Sequence, residues 1–167
     1  HNHAQGWPYF TEHLVLATPD NGVATAIYAA CKATVKVGDG KEITLHEETN
    51  YPFEESIAFS VSTGEKVTFP FYLRIPSWTK GAEVRVNGKK VNVAPVAGKY
   101  LCIHREWSNG DRVELTLPMS LSMRTWQVNK NSVSVDYGPL TLSLKIAEKY
   151  VEKDSRETAI GDSKWQK

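Results

Sequence analysis

The feature that most constrains this chain is an apolar alternation of period two that recurs from Val23 to Ile146, broken every few residues by turn formers. Val67, Phe69, Phe71, Leu73 and Ile75 sustain it longest, and Ile57, Phe59 and Val61, then Val113, Leu115 and Leu117, repeat it. Side chains two apart share one face of a strand, so each run reads as a strand with one apolar face. Further strands are predicted at 23–29, 34–37, 41–46, 101–103, 121–123, 133–135 and 140–146. Asn87-Gly88 lies between Val84–Val86 and Val91–Val93, which predicts a hairpin, and Gly38-Asp39-Gly40 and Asn109-Gly110 mark other turns. About a dozen short strands at close spacing predict an all-β fold, an antiparallel β-sandwich of jelly-roll type or a barrel. No crossover helices separate the strands, which excludes a parallel α/β sheet.

One helical stretch is predicted, over residues 7–17. Pro8 suits a first turn, Tyr9, His13 and Leu16 share a face, and Phe10, Leu14 and Ala17 line the adjoining one. Pro19 and Asn21-Gly22 end it. The stretch after Ile146 is charged and lacks alternation.

Composition narrows the function. A net charge of +1 argues against a nucleic-acid partner, which calls for a clustered basic face. Apolar residues at 41% and charged residues at 23% suit a folded globular domain. No apolar run approaches the roughly 20 residues that span a bilayer, and no signal peptide is visible at His1.

Catalytic signatures are weak. His46-Glu47-Glu48-Thr49-Asn50 begins like a zinc-protease motif, but Asn50 stands at the second ligand position, and neighbours on a strand face opposite ways. Ser77, Ser120 and Ser132 lack a nucleophile elbow, and no glycine-rich phosphate loop occurs. Glu47, Glu48, Glu54 and Glu55 read as solvated edge carboxylates, because a glycosidase pair must face one another across the sugar. Cys31 and Cys102 have no CxxC spacing and read as small buried hydrophobes, with a disulfide between them in an oxidising compartment as the alternative. Tryptophans at strand ends, Trp78 and Trp107, read as core lids, whereas Trp126 has the parity of Ser122 and Arg124 and is expected at the surface. His1 and His3 form a terminal HxH that offers a substrate contact or a metal ligand, with a polar terminus as the plainer reading.

Several blocks together resemble glycoside hydrolase family 127, the β-L-arabinofuranosidases. They are Phe71-Tyr-Leu-Arg-Ile-Pro-Ser-Trp78 with Ala82-Glu-Val-Arg-Val-Asn-Gly88, similar to the family's "LRIPxW … VNG", and Glu47-Glu-Thr-Asn-Tyr-Pro52, similar to "ETxYP". Arg105-Glu-Trp107, Gly110–Met119 and Asp136-Tyr-Gly-Pro-Leu140 follow in the same order. The resemblance implies a longer protein, with an (α/α)6 catalytic barrel ahead of β-sandwich domains and a zinc-held cysteine nucleophile in a Cys-Cys pair. No Cys-Cys occurs here. On this reading residues 1–20 are the helical end of the barrel, 21–146 the sandwich and 147–167 a charged tail or linker.

The expectation is a non-catalytic sandwich of a bacterial hydrolase acting on plant-type glycans, inactive alone, its partner the barrel of its own parent chain. It carries no catalytic residue, cofactor or metal site of its own; zinc belongs to the parent's catalytic domain. His1, His3 and Trp7, nearest the barrel's end, and Trp126 are the candidate substrate contacts, and the resemblance implies a periplasmic or secreted location. Two rivals remain, a stand-alone carbohydrate-binding sandwich and a purely structural or adhesion-like one.

Overall fold

A computed structural model describes residues 6–149 and the backbone of 151–152 and 165–166. After helix α1 (Gly6–Glu12), the chain runs through β1 (Val15–Ala17), β2 (Val23–Thr25), β3 (Cys31–Val37), β4 (Lys41–Thr49), β5 (Ser56–Thr63) and β6 (Val67–Arg74). It continues through β7 (Glu83–Val86), β8 (Lys89–Lys90), β9 (Tyr100–Trp107), β10 (Arg112–Thr116), β11 (Leu121–Trp126), β12 (Ser132–Tyr137) and β13 (Leu140–Leu142). Backbone pairs of Val151–Glu152 (β14) with Trp165–Gln166 (β15) complete the described ladder.

The fold is an antiparallel β-sandwich with one short N-terminal helix. A four-stranded sheet, β1-β2-β6-β9, faces a six-stranded sheet, β3-β4-β5-β10-β7-β8. Alternation decides which side chains meet between them. Phe69, Phe71, Leu73 and Trp107 come from the first sheet, and Ile43, Leu45, Ile57, Phe59, Val113 and Leu115 from the second, and they join one buried cluster. Phe59 meets Phe71 edge-on across the gap at 5.4 Å, and Phe71 meets Trp107 at 5.9 Å. Edge-to-face pairing puts the positive ring edge on a negative face and adds about 0.5–1.5 kcal/mol per pair to area burial. Trp107 donates its Nε1–H to the Phe69 carbonyl at 3.0 Å, which satisfies its one polar group inside the core.

One pair is parallel: Val23–Thr25 against Phe71–Leu73. A parallel pair needs a long crossover, usually a helix. Here β3, β4 and β5 in the opposite sheet supply it, so the absence of helices did not forbid the pair.

The predicted helix over 7–17 is shorter than expected. It stops at Glu12, none of its residues is buried, and Val15–Ala17 pairs with β2 instead. Leu14 turns into the core while its carbonyl accepts from Ala26 N–H, so sheet pairing outweighs the weak helical pattern. The 23–29 strand ends at Thr25, because Tyr28 swings its ring inward and its hydroxyl donates to the Arg74 carbonyl at 2.6 Å. The hairpin forms around Asn87-Gly88, both at positive φ, but its second strand is Lys89–Lys90 rather than 91–93. Strand β13 covers only the start of the predicted 140–146 run.

Beyond Met119 the chain forms a separate three-stranded sheet, β11-β12-β13. No helix among the described residues is long and apolar enough to cross a membrane.

Candidate functional site

Of the residues singled out from sequence, His1 and His3 lie outside the described residues. Trp7 projects from α1, 62% exposed, with its ring edge-on to Phe10 at 5.9 Å. Trp126 ends β11 on the face that its parity indicates, at 44% exposure. Its indole donates to Ser134 Oγ at 3.1 Å and lies beneath the Arg124 guanidinium at 4.7 Å. The structure therefore does not bring Trp7 and Trp126 together through any described contact.

The three-stranded sheet has two unlike faces. Its register sets Leu121 opposite Tyr137, Met123 opposite Val135, and Val135 opposite Leu142, so these apolar side chains share one face. Leu121 is 68% and Met123 79% exposed. The other face carries a polar network. Arg124 pairs with Asp136 at 3.1 Å, and Thr141 donates to the same carboxylate at 2.8 Å. Arg124, Asp136, Thr141 and Trp126 thus find partners within the polar face, while nothing described covers the apolar one.

A second feature corrects the reading of Glu47 as a solvated carboxylate. Glu47 shares the inward face of β4 with Ile43 and Leu45 and is 1% exposed. Register places it between Cys31 and Phe59. Its Oε2 lies 3.9 Å from Cys31 Sγ, Ala29 N–H donates to the carboxylate, and Oε1 has no partner among the described residues. Burial disfavours the ion and pushes the Glu47 carboxyl up to about 8. Burial, then the charge of Glu47, pushes the Cys31 thiol up to about 11. A reactive cysteine needs an electropositive neighbourhood that favours thiolate, so Cys31 is built as a protonated, inert thiol. Glu48, the next residue, points outward as strand alternation requires. Glu54 accepts from Asn50 at the surface, and Glu55 accepts from Met119 N–H at 2.7 Å, a structural tie rather than an acid/base group.

The residues present do not fit a zinc–thiolate centre. Cys31 and Cys102 stand on different sheets as free thiols, and no described group of three or more His, Cys, Asp or Glu side chains converges to hold a metal. Trp107 is fully buried and Trp78 packs partly buried against the core, as lids do.

Comparison with known proteins gives these features a context. The family model for the middle domain of GH127 β-L-arabinofuranosidases matches residues 22–119. Among solved structures, a GH127 β-L-arabinofuranosidase from Geobacillus stearothermophilus T6 is 30% identical, with a TM-score of 0.76 over 84% of this chain and 22% of that one. A glycoside hydrolase (29% identical, TM-score 0.66) covers 73% of this chain and 21% of its own. A GH127 β-arabinofuranosidase (30%, TM-score 0.66) covers 74% and 22%. No curated protein matches. The chain spans about a fifth of the length of these solved relatives. With the middle-domain model matched along most of the sandwich, this chain belongs to glycoside hydrolase family 127, whose middle β-sandwich domain it carries.

Proposed function

We propose that the chain is the non-catalytic sandwich region of a longer glycoside hydrolase acting on plant-type glycans, and that it buttresses the catalytic (α/α)6 barrel of that protein. The observation that carries this reading is the apolar face of the three-stranded sheet around Met123 and Val135, uncovered while Arg124, Asp136, Thr141 and Trp126 on its reverse face find partners within the sheet. A sheet with one apolar face needs a second layer over it, and large exposed apolar patches mark interaction surfaces. Trp7 and Tyr9 on α1 are further exposed aromatic side chains. Solved relatives several times longer than the matched region support an occupant within the same polypeptide, and we assign the sheet face to the barrel.

Zinc, if the longer protein uses it, is then held by that protein's catalytic domain, and none of this chain's described residues takes part. A periplasmic or secreted location accompanies the glycan reading, on family grounds.

The test is a parallel assay of the 167-residue chain and the longer gene product on an aryl β-L-arabinofuranoside, with and without a zinc chelator. Activity confined to the longer protein and lost on chelation is the expected result. Turnover by the 167-residue chain that Cys31→Ala abolishes would overturn the reading.

A further inference from the structure

On the outer surface of the four-stranded sheet lies a shallow concavity of about 510 Å³. Thr18, Pro19, Asp20, Ala24, Tyr72 and Tyr100 line it. Register brings these residues together. Tyr72 pairs with Ala24 on one side and Cys102 on the other, and Tyr100 stands two residues before Cys102, so Ala24, Tyr72 and Tyr100 share the outer face. Ala24 supplies a small, nearly buried floor between the rings and the Thr18–Gly22 loop. Tyr100 is 49% exposed, and its phenol makes no hydrogen bond to the described residues.

The loop is held rigidly over this face. Thr18 N–H donates to the Gly22 carbonyl at 3.1 Å, Asn21 N–H to the Thr18 carbonyl at 3.1 Å, and Gly22 N–H to Thr18 Oγ1 at 3.0 Å. A Cβ on Gly22 would come within 2.3 Å of the Pro70 carbonyl oxygen, so only glycine lets the loop sit this close. Its tip carries Asp20, whose two carboxylate oxygens are fixed by different donors, Oδ1 by the Thr18 hydroxyl and Oδ2 by the Tyr72 hydroxyl. These donors hold the carboxyl below the ordinary carboxylate range, so it stays ionised. Each oxygen keeps a lone pair for an incoming donor.

We infer that this concavity is a binding site for a neutral saccharide, with Tyr100 and Tyr72 as the apolar platform and Asp20 as the fixed acceptor. Tyrosine faces match the C–H faces of a sugar ring, and the pre-set carboxylate accepts from ring hydroxyls without paying the entropy of ordering itself. None of the lining residues is a cation, and Asp20 is the one charged group among them, which disfavours an anionic ligand. Proline-rich peptides also dock on tyrosine-lined grooves. They offer chiefly carbonyl acceptors, whereas this site offers an acceptor and has committed the Tyr72 proton to Asp20. The choice of an arabinose-based probe rests on the function proposed above; the site itself does not, and it differs from the Trp126 platform expected from sequence.

Amide-resolved NMR titration of the 167-residue chain with linear arabino-oligosaccharides, xylo-oligosaccharides and a proline-rich peptide tests it. Saturable shifts confined to residues 18–24, 72 and 100, at least tenfold weaker binding in Tyr100→Ala and in Asp20→Asn, and unchanged binding in Trp126→Ala are expected. Dispersed spectra of each variant confirm that it folds. Binding of xylo- but not arabino-oligosaccharides at these amides upholds the site and counts against the arabinofuranoside reading. Absence of saturable shifts with either saccharide, insensitivity to Tyr100→Ala, or response to the peptide alone overturns the site.

Discussion

Two sheets of this chain are built from the same alternation and end in opposite circumstances. In the sandwich, Phe69, Phe71 and Leu73 on β6 are sealed beneath the second sheet. In the three-stranded sheet, Leu121, Met123 and Val135 form an equally regular apolar row that remains open to solvent. Alternation specifies which side chains share a face, whereas the partner that covers the face is a property of the tertiary structure. The difference is energetic as well as geometric, since apolar area contributes roughly 25 cal/mol per Å² only when it leaves water.

Truncating a sealed side chain should therefore give the largest effect. Phe71→Ala removes a ring that contacts both Phe59 and Trp107, and should cost about 3–5 kcal/mol by urea denaturation. A loss below ~1 kcal/mol would mean that the two sheets are not packed as described.

Glu47 is the polar exception inside the sealed region, and pH should expose it. Its folded pKa of about 8 lies above the ordinary value of 4.5, so the folded state binds its proton more tightly than the unfolded state does. Stability from this group is complete below pH ~4.5 and is lost as pH rises through the folded pKa near 8. Glu47→Gln should remove that loss, gaining roughly 1–3 kcal/mol over the native chain at pH 8 and little at pH 4. Parallel denaturation curves at the two pH values check this; equal gains at both would show that folding does not raise the pKa of this carboxyl.

Gly22→Ala sharpens the comparison at the sandwich rim. With 2.3 Å between the added Cβ and the Pro70 oxygen, the loop must shift, at a cost of about 1–3 kcal/mol readable as a lowered melting temperature. Smallest of all should be Met123→Ser on the open sheet. It should change the stability of this chain by less than ~0.5 kcal/mol, because the side chain is already in water. The same substitution in the longer protein should lower stability or activity if the barrel covers that face, and an effect in neither would remove the sheet from the docking surface.

Much of this was legible in the residues. The strands, the Asn87-Gly88 hairpin and the lid role of Trp107 follow from alternation and turn chemistry. Glu47 carried a readable signal too, since it has the parity of Ile43 and Leu45, yet its charge argued for solvent and hid the pattern. The helix was over-extended because Leu14, Leu16 and Ala17 fit a helical face as well as a strand, and only pairing with Val23–Thr25 decides between them. Asp20 and Tyr72 stand far apart in sequence, and no local pattern predicts that the loop folds over the sheet and joins them.

By itself, then, the sequence determined the all-β class, the faces of the strands and, through its ordered motif blocks, membership of family 127. Those properties are encoded by neighbours within a few residues or by motifs read in line. The tertiary structure alone decided that β2 and β6 run parallel, that Glu47 is buried beside Cys31, and that Asp20 is fixed beside the tyrosines. Each depends on segments from distant parts of the chain meeting, and on whether water is excluded where they meet.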